Sequence, residues 1–175
     1  MQELPRERVV AATHASMDQV FSTMLGVAAE PDTSQLEMGG SMETFNGVMA
    51  WVGIAGEWTG TGRLLVSPRM ACILAGHLLM STFESVDEEV LDAVAEIANM
   101  VVGNVKNVLE EDLGQLCLSV PTVIYGKNYM TRSGKVQDWL VIPFRCLGES
   151  IEFRFCLMPA PTNPRAGFRI EVHHL

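Results

Sequence analysis

The sequence has no C-x-x-C pair, no run of about 18 uninterrupted apolar residues, no low-complexity segment and no excess of positive charge. Each absence removes a class of function. Its four cysteines, Cys72, Cys117, Cys146 and Cys156, lack the spacing of a zinc or redox site and read as small buried hydrophobes. Without a long apolar run, a membrane-spanning helix is not expected. The opening "MQELPRERVV" has no basic region leading into an apolar one, so no export signal is expected either. Free cysteines without such a signal point to the cytoplasm. The net charge is −9, which opposes a phosphate backbone, so nucleic acid is not an expected partner. The histidines His14, His77, His173 and His174 share no spacing that suggests a metal site. The "VHHL" at the end is at most an adventitious metal binder.

What is present is a globular composition, 48% hydrophobic and 19% charged, over 175 residues, a length that suits one domain with a core of ordinary size. A helix is expected over 7–26, stopped by Gly26, and an extended piece over 35–44. "GVMAWVGIAG" and "TGTGRLLVS" read as a hairpin turning near Gly56–Glu57. The glycines of "EWTGTGR" lie between strands and so serve a bulge or a close strand contact, not a phosphate loop. Trp51, Trp58 and Trp139 read as strand packing. Ser67-Pro68 caps and opens the helix "PRMACILAGHLLM", in which His77 reads as a core or boundary histidine. Ser85 and Glu88 offer a capping box for the longest helix, about 86–112, with Gly114 as its stop. Four strand-like runs follow. The order of elements suggests a weak α-β-β-β duplication: an α+β fold with a pseudo-twofold, its two long helices packed on a largely antiparallel sheet.

The longest helix poses the functional question. At 100° per residue, Val90, Val94, Ile97, Val101, Val105 and Val108 fall on one side, widened by Leu91, Val102 and Leu109. Asp92, Glu96, Asn99 and Gly103 share an arc of about 60° on the other side, continued by Lys106, Asn107 and Glu110. Glu96 and Asn99, at i and i+3, aim at one target. Small or soft neighbours, Ala93, Ala95 and Met100, leave the pair unshielded. Gly103 costs about 1 kcal/mol in a helix relative to alanine, which asks for a packing or access reason.

The string "DAVAEIAN", followed by 21 residues and then Pro121, resembles the signature of the CheC/CheX/FliY phosphatase family. Its positions here are Asp92, Glu96, Asn99 and Pro121. "EIANMVVGNVKNVL" is most similar to the CheX members, and the likeness extends over about 7–160. CheC members carry the Glu–Asn pair on both pseudo-symmetric helices. Here the first helix reads "SMDQVFSTML" without that pair, which fits the one-site CheX subgroup.

The resemblance implies a substrate, the phosphoaspartate of a CheY-like response-regulator receiver domain in chemotaxis or related two-component signalling. It implies Asn99 and Glu96 as catalytic residues. An amide cannot act as a base near neutrality but can orient an attacking water. Glu96 beside a phosphoryl dianion would raise the barrier; paired with a receiver lysine, it would dock the helix. Asp92, Gly103 and Lys106 are the candidate partner-binding residues. The protein is expected to hold no metal or cofactor of its own, with Mg²⁺ supplied by the receiver, and to form a homodimer as CheX-like proteins do. The rival expectation is a non-catalytic receiver- or switch-binding module of FliM-like fold.

Overall fold

Helix α1 (Arg6–Val20) runs into a single π turn (Phe21–Leu25) that ends at Gly26, whose φ of 66° is the left-handed stop that glycine provides. The computed structural model describes residues 6–32, 38–39, 42–133, 139–161 and 170–173. Half of the extended piece expected over 35–44 lies outside them; the other half is the strand β2 (Met38–Gly39) and the start of β3 (Met42–Gly56). Between α1 and β2, β1 (Glu30–Pro31) is a two-residue strand. The expected hairpin is β3 with β4 (Trp58–Val66), turning at Glu57. Helix α2 (Pro68–Leu79) starts as read: the Ser67 hydroxyl accepts the Met70 N–H at 3.0 Å.

Helix α3 (Glu88–Leu113) departs from the expected capping box. Its N-cap is Asp87, whose carboxylate accepts the Val90 N–H at 2.9 Å, so Ser85 lies two residues outside. A carboxylate at the N-cap also meets the positive end of the helix dipole, which a serine hydroxyl does only weakly. The C-terminal stop is Gly114, at φ 76°, its N–H on the Glu110 carbonyl.

The second half supplies β5 (Leu116–Leu118), β6 (Thr122–Ser133), β7 (Trp139–Cys146), β8 (Glu149–Pro159) and β9 (Ile170–His173). All pairings are antiparallel, in the order β1-β7-β8-β4-β3-β6-β9, with β2 also on β7 and β5 also on β3. The duplication is visible in this order. The hairpin β3–β4 meets the hairpin β7–β8 through β4 and β8, with Arg63 opposite Arg154 at the middle of that ladder. Each half then lends its first strands to the other: β1 and β2 flank β7, while β5 and β6 flank β3. The third helix, α2, belongs to the first half alone.

One face of the sheet takes the helices. Val48, Ala50, Val52, Leu64, Val66, Phe153 and Phe155 pack with Val9, Met17, Leu74, Val94, Ile97 and Val101 in one core. Each Val, Leu, Ile, Met or Phe among them stabilises the fold by roughly 1.5–3 kcal/mol on burial. The α3 stripe is buried as read except for Leu91, which is half-buried, and Val108, which is 39% exposed. Val108 lies level with the first turn of α1, where Arg8 reaches its carbonyl and the cover thins. Intervening strand residues, Met49, Leu65 and Tyr129, form a second cluster on the other face. There Arg63 is buried against Trp139, its guanidinium 3.9 Å from the ring centroid and 5.9 Å from that of Trp51. Burial pushes its pKa down to about 10, so it stays charged at neutral pH.

The glycines of "EWTGTGR" serve close contact, as expected. A Cβ on Gly60 would lie 1.9 Å from the Cys156 carbonyl oxygen, and one on Gly62 would lie 2.7 Å from Val102. Two further residue-level expectations fail. His77 is exposed in the last turn of α2, because the helix turns its apolar residues Met70, Ala71, Leu74 and Ala75 inward instead. Cys117 is exposed on β5, whereas Cys146 and Cys156 are buried. His174 lies outside the described residues.

Candidate functional site

The open side of α3 carries Asp92 and Glu96, both exposed, and Asn99 and Gly103, both half-buried. Among the described residues, neither Glu96 nor Asn99 has a side-chain hydrogen bond or an ion pair. Their polar groups therefore face solvent ready for an outside partner. Met100 beside them packs against the core, consistent with its reading as filler.

The polar stripe closes towards the C-terminus. Lys106 is only 18% exposed and its ammonium holds Glu110 at 2.9 Å. The other Glu110 oxygen accepts the Leu116 N–H at 2.9 Å. This chain of contacts clamps the start of β5 onto α3. Lys106 is thus engaged within the molecule, and partner contact would compete with that bond. The clamp has a pH signature. The Leu116 N–H first, and Lys106 second, hold the Glu110 carboxyl below its ordinary pKa. Its stabilisation is present above the unfolded carboxylate pKa and is lost as pH falls through the lower folded value. Glu110→Gln is expected to lower stability at neutral pH and to flatten its decline in acid, read from urea midpoints against pH.

Gly103 looks onto its own chain. A Cβ there would meet only Leu118 Cδ1, at 3.8 Å, an ordinary contact. Gly103→Ala is therefore expected to stabilise the protein by about 1 kcal/mol in urea unfolding, through helix propensity. If a partner needs the missing methyl, the same variant raises KM for that partner while the fold gains.

A charge pattern went unread in the sequence. Residues 70–105 contain Glu84, Asp87, Glu88, Glu89, Asp92 and Glu96 and not one lysine or arginine. All six carboxylates are exposed, and none has an ion-pair partner among the described residues. Asp87, Glu88 and Glu89 serve the helix N-terminus. Asp92 and Glu96 lie beyond the first turn and gain little from it. The signal was available as a run without cations. No three His, Cys, Asp or Glu residues among those described are arranged to hold a metal ion. No described helix is long and apolar enough to cross a membrane.

Solved structures share the fold. A CheX from Desulfovibrio desulfuricans is 23% identical, with a TM-score of 0.74, covering 86% of this chain and 99% of its own. CheX in a CheX–CheY–BeF3–Mg²⁺ complex from Borrelia burgdorferi is 25% identical, with a TM-score of 0.62, covering 86% of this chain and 96% of its own. More distantly, the FliM middle domain of Helicobacter pylori is 13% identical, with a TM-score of 0.55, covering 88% of this chain and 90% of its own. Among curated protein sequences none matches significantly. The family described as chemotaxis phosphatase CheX matches residues 48–145, a span that contains α3 and Pro121. The chain belongs to the CheX family.

Proposed function

We propose that the protein is a phosphatase for the phosphoaspartate of a CheY-like receiver domain. The observation that carries this reading is the pair Glu96 and Asn99, one turn apart on the open side of α3 and without partners among the described residues, in a chain of the CheX family. The Borrelia burgdorferi relative stands in a complex with CheY, BeF3 and Mg²⁺, which supports a receiver as the partner.

The chemistry follows from positioning. Hydrolysis of an acyl phosphate needs a water in line with the leaving carboxylate oxygen. Most of the barrier is lowered by placement and electrostatics. The Asn99 carboxamide orients that water, its oxygen accepting a hydrogen bond from it and its N–H donating towards a phosphoryl oxygen. Glu96 pairs with a lysine of the receiver and sets the depth of α3. Asp92 lies one turn earlier on the same face and joins the docking surface, while Gly103 marks its far end and Lys106 buttresses it through Glu110. Mg²⁺ belongs to the receiver. A homodimer is part of the proposal, checked by sedimentation equilibrium.

An acidic face must meet a basic one. Association is therefore expected to weaken with salt: kcat/KM falls severalfold between about 0.05 M and 0.5 M ionic strength, with kcat nearly constant. The deciding experiment charges receivers of the source genome with a small-molecule phosphodonor, removes the donor and follows phosphate loss. Faster loss with this protein supports the phosphatase. Unchanged loss across every receiver, with folded protein, favours a binding module of the FliM kind.

A further inference from the structure

The docking surface proposed above has only one wall if α3 acts alone. A second is built by the corner Ser119–Pro121, between β5 and β6. The strand β5 climbs α3 towards its N-terminus: Leu116 is bonded to Glu110, and Leu118 lies against Gly103. Two further residues of extended chain advance about 6.6 Å, and Asn99 lies about 6 Å beyond Gly103 along the helix. The corner therefore lies past Gly103 in the direction of the Asn99 turn of α3.

The corner is a bulge held in place. Ile54 of β3 faces Leu118, and Trp51 faces Thr122. Two residues of β3, Val52 and Gly53, therefore oppose three, Ser119, Val120 and Pro121. Ser119 N–H bonds to the Gly53 carbonyl at 2.9 Å. Its hydroxyl accepts the Gly53 N–H at 2.8 Å and donates to the Val120 carbonyl at 2.9 Å. A Cβ on Gly53 would lie 3.1 Å from that hydroxyl, so glycine leaves it room. Proline follows at once. The outcome is an aliphatic side chain 84% exposed on an anchored backbone. A single exposed valine would need no explanation elsewhere. Here it stands on the strand that runs along α3 past Gly103, at a corner whose backbone is fixed by hydrogen bonds.

We propose that Val120 is the apolar contact of the receiver-docking surface, meeting an aliphatic patch beside the receiver's phosphorylation site and fixing the angle at which Asn99 enters. The inference rests on the receiver reading above. Ser119 is a positioning residue that acts through Val120.

The test uses the intact protein, its cognate receiver with BeF3 and Mg²⁺ for binding, and the phosphorylated receiver for turnover. Val120→Ala is expected to raise Kd and KM about fivefold and Val120→Asp more, with kcat within about twofold. Ser119→Ala should raise KM less, and Leu147→Ala, at the β7–β8 turn and also exposed, should change nothing. Equal thermal midpoints for the Val120 variants separate docking from folding. Wild-type Kd and KM in both Val120 variants overturn the second wall and leave the phosphatase standing. Weakened binding without hydrolysis by any form, wild type included, keeps the wall and removes the phosphatase. Wild type that binds no receiver overturns both.

Discussion

Asn99→Ala is expected to lower receiver dephosphorylation by on the order of 10²-fold while leaving receiver binding within about twofold. The residue is half-buried on the open side of α3, and its amide has no hydrogen-bond partner among the described residues. Its loss therefore removes no hydrogen bond that holds the fold. An amide also replaces no base, so the rate should fall equally at every pH from 6 to 9. Glu96→Ala supplies the contrast: KM rises, and kcat at saturation falls less than for Asn99→Ala. Single-turnover decay of phosphorylated receiver at several protein concentrations separates the two. Equal activity of Asn99→Ala and wild type would remove the water-orienting role.

The second large effect falls on stability. Gly60→Ala is expected to destabilise the protein by about 3 kcal/mol, lowering the thermal midpoint by roughly 10 °C. A methyl there would lie 1.9 Å from the Cys156 carbonyl oxygen, where only main-chain movement relieves the overlap. Gly60 faces Leu157 in the β4–β8 ladder, which joins the two halves of the sheet. The damage should therefore spread across the pseudo-twofold. Thermal unfolding checks it, and hydrogen exchange should show lost protection in β4 and β8 before α3.

The helical site was readable because its cause is local. A 100° step places Asp92, Glu96 and Asn99 together whatever the helix packs against, and Val90, Val94, Ile97, Val101 and Val105 opposite them. The caps at Ser67, Gly26 and Gly114 were readable for the same reason. At Ser85 the reading failed because two local signals competed, and the carboxylate of Asp87 won. Val108 and His77 were misjudged because exposure depends on where a neighbouring element begins or ends. The glycines of β4 were recognised as contact points, but not the partners they admit, Cys156 and Val102, which lie far along the chain.

By itself the sequence determined the three helices, the α+β class, the duplicated order and the unshielded Glu96–Asn99 pair. These follow from periods of 3.6 and 2 residues and from capping chemistry, which act within a turn or two. Tertiary structure decided the rest. It exchanged the first strands between halves, it turned Lys106 and Glu110 from solvent towards β5, and it left Val120 exposed at a corner pinned to β3. Those outcomes depend on which distant backbone groups satisfy one another's hydrogen bonds once the core has formed. No local spacing encodes that choice.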